Sequence, residues 1–198
     1  MMRRLLTALA MLPALSLPAA AHHPMGGAMP ATAMEGFLSG LGHPVIGPDH
    51  LAFLIAVGLL AGLAGWGAGR VASFVVASLA GVSIAWMGGV LPGVELLVAA
   101  SVIAIGGALL ARVELPAPAW AGLLAIAGLA HGQAYAEAVI GAESTPVWAY
   151  LVGLALVQGG LALGVARLVA IRPALLAPRV PQLAGIAVLL VGVAALAG

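Results

Sequence analysis

Six charge-free runs dominate the chain, at 51–69, 71–94, 96–111, 115–136, 144–166 and 180–198. They are apolar all round, with no regular polar face. A helix of that kind has to be buried in a protein core or in lipid. A spanning helix needs about 20 mainly apolar residues, so the runs predict six transmembrane helices. Allowing for their ends, these lie near 48–67, 70–90, 93–111, 117–140, 146–170 and 180–198. The short alternating segments of a β-barrel are absent from the sequence. The expected fold class is all-α, an integral membrane helical bundle.

Ahead of the first run the pattern changes. Arg3 and Arg4 precede an apolar stretch over 5–17, interrupted by Pro13, and Ala19, Ala20 and Ala21 follow as small residues. This is the layout of a secretory signal peptide, with cleavage expected after Ala21; the alternative is an uncleaved first helix. The chain then divides into a signal peptide at 1–21, an exported segment with a metal-capture loop at 22–47, and a six-helix transmembrane domain at 48–198.

Composition agrees with the pattern. Hydrophobic residues make up 64% of the chain and charged residues 7%, and the mean hydropathy is +1.21. A water-soluble domain of 198 residues needs far more surface charge. With no lysine and a net charge of +1, the chain has no basic patch for nucleic acid. It has no cysteine, so disulfides and thiolate metal sites are excluded, and histidine, carboxylate and methionine remain as ligands.

Charge also orients the spans. With an exported N-terminus, the loops after spans one, three and five are cytoplasmic, and they hold or adjoin Arg70, Arg112, Arg167, Arg172 and Arg179. That distribution follows the positive-inside rule. It puts both mature termini on the outer, periplasmic side of the inner membrane. Glu35, Asp49, Glu95 and Glu143 fall at the outer surface, Glu137 in the outer part of span four, and only Glu114 inside. The acids either fill loops from which arginine is excluded or form a mouth whose field concentrates cations. Trp66, Trp120 and Trp148 fall near span ends, where interfacial anchors belong.

Against this background two polar groups stand out. The first is His43-Pro44, followed by Gly47-Pro48-Asp49-His50 at the mouth of span one. Ionisable side chains at the edge of hydrocarbon are expensive and by default mark an ion site or pathway. Imidazole with a carboxylate suits a divalent transition metal better than magnesium or calcium. Gly47 and Pro48 read as a cap and a proline in the first helical position, which leaves Asp49 and His50 in the first turn. A residue before proline is pushed toward extended backbone, so a loop is expected to fold His43 back toward Asp49 and His50. The competing reading is an Asp–His pair that merely caps a helix.

The second group is His131, Gln133, Tyr135 and Glu137 in span four. On a regular helix His131 and Glu137 are about 120° apart, so they share one tight site only if the helix bends. His131, deep in the span, is the stronger ligand candidate. Its alternative is a buried neutral histidine satisfied by hydrogen bonds. Gln158, halfway along span five, needs a partner, either a ligand histidine or a neighbouring helix. His22 and His23 would follow the cleavage site as a histidine-bearing leader.

The motif from His43 to His50, with His131-Gly132, Glu137 and the run Gly141-Ala142-Glu143-x-Thr145-Pro146, resembles the HupE/UreJ family of hydrogenase- and urease-associated membrane proteins. The resemblance covers essentially the whole chain. It implies uptake of nickel, or in some members cobalt, and maps His43, Asp49, His50, His131 and Glu137 onto metal-pathway positions. Some members have further histidines in the fourth-span motif, where this chain has Gln133 and Tyr135.

The function expected first is a permease that imports a divalent transition metal as its substrate, nickel ahead of cobalt, for metalloenzyme maturation. No Gly-rich Lys-Ser/Thr phosphate loop is present, and no organic cofactor is expected. The partners are the ion, membrane lipid and metalloenzyme maturation proteins. The second reading is an outward-facing metal-binding module that does not transport. An intramembrane metallohydrolase is a remote third, because no HExxH-type arrangement exists.

Overall fold

The computed structural model describes residues 28–172 and 179–197. The expected signal peptide and the His22–His23 leader lie outside them. The described residues form seven α-helices and one 3-10 turn, with no strand. In chain order these are α1 (Ala33–Ile46), α2 (Pro48–Leu63), α3 (Ala68–Trp86), α4 (Val94–Ala111), α5 (Ala117–Tyr135), the 3-10 turn Ala136–Ala138, α6 (Ser144–Ile171) and α7 (Arg179–Ala197).

Helices α2 to α7 follow the six runs. Helix α1 is the addition, and it replaces the expected fold-back loop. A capping box starts it: the Thr32 hydroxyl accepts the Glu35 N–H at 3.2 Å, and the Glu35 carboxylate accepts the Thr32 N–H at 3.1 Å. Pro44 falls near the C-terminal end, where a single helical hydrogen bond is lost. The chain then turns at Gly47, which closes α1 and caps α2, and the two helices meet at 79°. His43 is thus brought back by a sharp corner between helices rather than by an irregular loop.

Four helices, α3, α4, α6 and α7, are long and apolar enough to cross a membrane, and the bent pair α1–α2 makes five if it is one span. The fourth run is present as α5, 19 residues long, but Pro118, His131 and Gln133 lower its hydropathy. The protein is a multi-pass helical membrane protein.

The helices meet backbone to backbone at small residues. A Cβ at Gly36 or Gly40 of α1 would run into the carbonyls of Pro146 and Tyr150 on α6, and Gly58 and Gly62 of α2 meet Ala162, Ala166 and Val169 farther along α6. Positions rise together in both cases, so α1 and α2 run in the same sense as α6. That is the behaviour of one broken span, since a re-entrant loop would reverse. Gly128 and Gly132 of α5 approach Phe74 and Ser78 of α3 in parallel, and Gly106 of α4 meets Gly185 of α7 in antiparallel fashion. These senses are the ones an up-and-down threading requires. Gly159, Gly160 and Gly164 have open space around them, so the glycine-rich composition of α6 is only partly a packing signal.

Candidate metal site

The threading sorts the polar residues to opposite ends. The start of α3, the ends of α4 and α6 and the start of α7 carry or adjoin Arg70, Arg112, Arg167, Arg172 and Arg179. Trp66 stacks near Trp120 with ring centroids 5.0 Å apart, and the Arg70 guanidinium lies over the Trp66 ring at 5.2 Å. Trp120 is therefore buried in this stack instead of facing lipid, as sequence placed it; Trp148 does remain exposed.

At the other end, four of the five candidate site residues are buried: His43, Asp49, His50 and His131. Gly47 and Pro48 set Asp49 and His50 in the first turn of α2, where the helix dipole favours a carboxylate. Asp49 Oδ1 accepts the His50 backbone N–H at 2.9 Å. His43 occupies the last turn of α1, and its ring lies 6.0 Å from that of His50. His131 comes from the last turns of α5. Its Nδ1 is 2.9 Å from His50 Nδ1, a buried contact between residues 81 positions apart. The histidines of the first and fourth runs thus share one site.

Glu137 does not join them. After Tyr135 the α-helix tightens into the 3-10 turn, and Glu137 is exposed there. This agrees with the angular separation from His131 on a regular helix. Gln133 is occupied elsewhere: its Oε1 accepts the Leu91 N–H at 3.1 Å, and its Nε2 donates to the carbonyls of Gly81 and Gly89. It ties the α3–α4 connection to α5. Gln158 donates to Ser78 Oγ at 2.9 Å, which makes it an interhelical tie.

Tyr135, already singled out in span four, is joined at the site by two residues that sequence reasoning passed over, Tyr150 and Ser101. The Tyr150 hydroxyl donates to the Tyr135 carbonyl at 2.7 Å, and its oxygen lies 3.0 Å from His43 Nδ1. A phenol has one proton. With that proton on the carbonyl, the oxygen accepts from His43 Nδ1–H, so neutral His43 carries its lone pair on Nε2. Ser101 Oγ of α4 lies 2.8 Å from His131 Nε2. The Tyr135 ring packs 4.3 Å from His50 and 5.2 Å from His43. Scarcity was the available signal: the chain has two tyrosines, and both are here.

Beneath the imidazoles is an aromatic floor. The Phe53 ring lies 4.4 Å from His131 and Phe74 5.6 Å, and the two phenylalanines are 5.1 Å apart. Both are fully buried and belong to the apolar core that continues toward the arginine end. Two polar atoms near the site, Tyr135 Oη and Gln158 Oε1, are buried without a hydrogen-bond partner among the described residues. Among those residues, no group of three or more His, Cys, Asp or Glu side chains is arranged to hold a metal ion. The arrangement offers two imidazole nitrogens at ligand spacing, a third imidazole nearby and one buried carboxylate.

Comparison with known proteins bears out the family resemblance read from the sequence. The family described as HupE / UreJ protein matches residues 9–195. Protein HupE of Rhizobium leguminosarum bv. viciae is 33% identical over 126 residues, which is 63% of this chain and 63% of that protein. The match thus spans a little under two thirds of the curated relative. No solved structure matches.

Proposed function

The chain belongs to the HupE / UreJ family, and from that premise we propose that it carries a divalent transition metal, nickel ahead of cobalt, across the membrane for metalloenzyme maturation. The observation that carries the proposal is the 2.9 Å separation of His50 Nδ1 and His131 Nδ1. Two metal–nitrogen bonds of about 2.1 Å meeting at a right angle put the nitrogens about 3.0 Å apart, the edge of a square-planar or octahedral site. For such an ion to replace the shared proton, the two rings must turn so that their lone pairs meet to one side of the N···N line.

His43 and Asp49 receive the ion at the outer mouth, and His50 and His131 hold it in transit. The buried Asp49 carboxylate offsets part of its charge. A conducted ion must bind well enough to enter and weakly enough to leave, and a pair of imidazoles without a third fixed ligand meets that requirement. The positive-inside rule supports an inner-membrane orientation with the histidine end outward and the arginine end in the cytoplasm. The membrane potential then favours entry of a doubly charged ion by about 4.6 kcal/mol per 100 mV.

Nickel accumulation in cells expressing His50→Ala should fall to the level of cells without the protein. Uptake equal to wild type would remove the assignment. The Phe53–Phe74 floor favours a second reading, an outward-facing binding module that passes metal to a partner. Purified protein in sealed vesicles separates the two: time-dependent nickel accumulation inside supports transport, and binding without accumulation supports the module.

A further inference from the structure

Ser101 is the one hydroxyl in α4, on an otherwise apolar stretch facing α5. Its Oγ lies 2.7 Å from the Val98 carbonyl and 2.8 Å from His131 Nε2. Two oxygens at 2.7 Å need a proton between them, and only the serine can supply it, because a carbonyl has none. That proton is therefore committed to Val98. Ser101 Oγ is left with lone pairs toward His131, and the ring must donate from Nε2–H. A neutral imidazole has one N–H, so His131 Nδ1 is the bare nitrogen, and it is the one that faces His50.

The surroundings reinforce this assignment. Ser101 is half-buried and lines an apolar cavity of about 610 Å³ between α4 and α5, with Phe53, Ala104, Ile105, Ala127 and Ala130 among its walls. Apart from Ser101 and the Trp120 indole, the side chains lining it are apolar. The Tyr150–His43 pair obeys the same rule, a hydroxyl whose proton is held by a backbone carbonyl.

We infer that Ser101 is the positioning residue that fixes the tautomer of His131, so that Nδ1 is presented to the His50 side. The consequence for metal affinity rests on the transport reading above; the tautomer itself does not. Hydrogen bonds behind a metal-binding histidine set its tautomer and ring orientation, and their loss typically costs about 10- to 100-fold in affinity.

The test uses the full chain in detergent, labelled with nitrogen-15 histidine and free of metal, with His131→Ala identifying the His131 signals. Wild type should show His131 protonated at Nε2 with Nδ1 unprotonated. Ser101→Ala should give a mixture of tautomers. Ser101→Thr, whose hydroxyl can also bond a carbonyl one turn back, should restore the wild-type pattern. Nickel titrated by calorimetry should bind about 10- to 100-fold more weakly to Ser101→Ala and with near wild-type affinity to Ser101→Thr. A His131 protonated at Nδ1 in wild type, or an unchanged tautomer in Ser101→Ala, overturns the inference and leaves the transport reading standing. Wild-type nickel affinity in His131→Ala overturns the transport reading and leaves the tautomer assignment standing.

Discussion

The two ends of the bundle hold polar residues under opposite terms. At one end arginines are exposed or partly exposed, and the packing around them is aromatic: Trp66, Trp120 and the Arg70 guanidinium form a stack. At the other end three histidines, two tyrosines and an aspartate are buried and bond mainly to one another or to backbone. Burying polar groups without partners is costly, and in a membrane those that persist mark functional paths. In the orientation proposed above, the arginine end needs only charge in roughly the right layer. The histidine end needs particular atoms at particular distances. Substitutions at the two ends should therefore differ in kind as well as in size.

The largest effect should come from His131→Ala, which removes one nitrogen of the pair and the ring that stands on Phe53. Nickel uptake should drop to background while the amount of folded protein in the membrane stays near wild type. Retained uptake would break the contrast outright. Gly132→Ala comes next, because its Cβ would collide with the Ser78 carbonyl and force α5 away from α3. Overpacking of this kind costs about 1–3 kcal/mol, read as a lower Tm in detergent. Gly122→Ala, with open space around it, is the control and should leave Tm unchanged.

Tyr150→Phe is a smaller test of the same end. It removes the hydroxyl that bonds both His43 Nδ1–H and the Tyr135 carbonyl, two hydrogen bonds worth about 0.5–1.5 kcal/mol each. Nickel affinity should weaken several-fold with little change in fold by circular dichroism. The smallest effect should be at the arginine end. Arg70→Ala loses a cation–π contact worth about 0.5–1 kcal/mol, so Tm should shift slightly and nickel affinity should not change. Glu137→Gln, exposed on its 3-10 turn, should likewise leave affinity unchanged. A strong loss of affinity in either would sharpen the comparison by extending the metal-binding region beyond the buried cluster.

The helical runs were legible because lipid requires long apolar stretches, and the ends of the spans placed on them fell within about five residues of the observed helices. The corner at Gly47 was half legible. Gly47, Pro48, Asp49 and His50 announced the start of α2, but Pro44 read as a helix breaker when it lies near the end of a helix begun at Thr32. The pairing of His50 with His131 could not be read from spacing, since it depends on which faces α2 and α5 turn toward each other. Glu137, which the resemblance mapped onto the metal pathway together with His131, lies exposed and apart from it, as their angle on a regular helix implies. Ser101 and Tyr150 were visible as rare polar residues in apolar runs, but their function lies in hydrogen bonds across helices, which no periodicity encodes.

Helix α6 contains none of the three histidines, yet it acts as their ruler. Its backbone near Pro146 and Tyr150 grips α1, and its stretch from Ala162 to Val169 grips α2. The gap between His43 and His50 is therefore set by how many residues separate those two grips on a third helix. One residue inserted between Gly153 and Ala162 would shift the second grip by about 1.5 Å and turn it by about 100°. The length of that stretch is thus as much a determinant of the site as the imidazoles themselves.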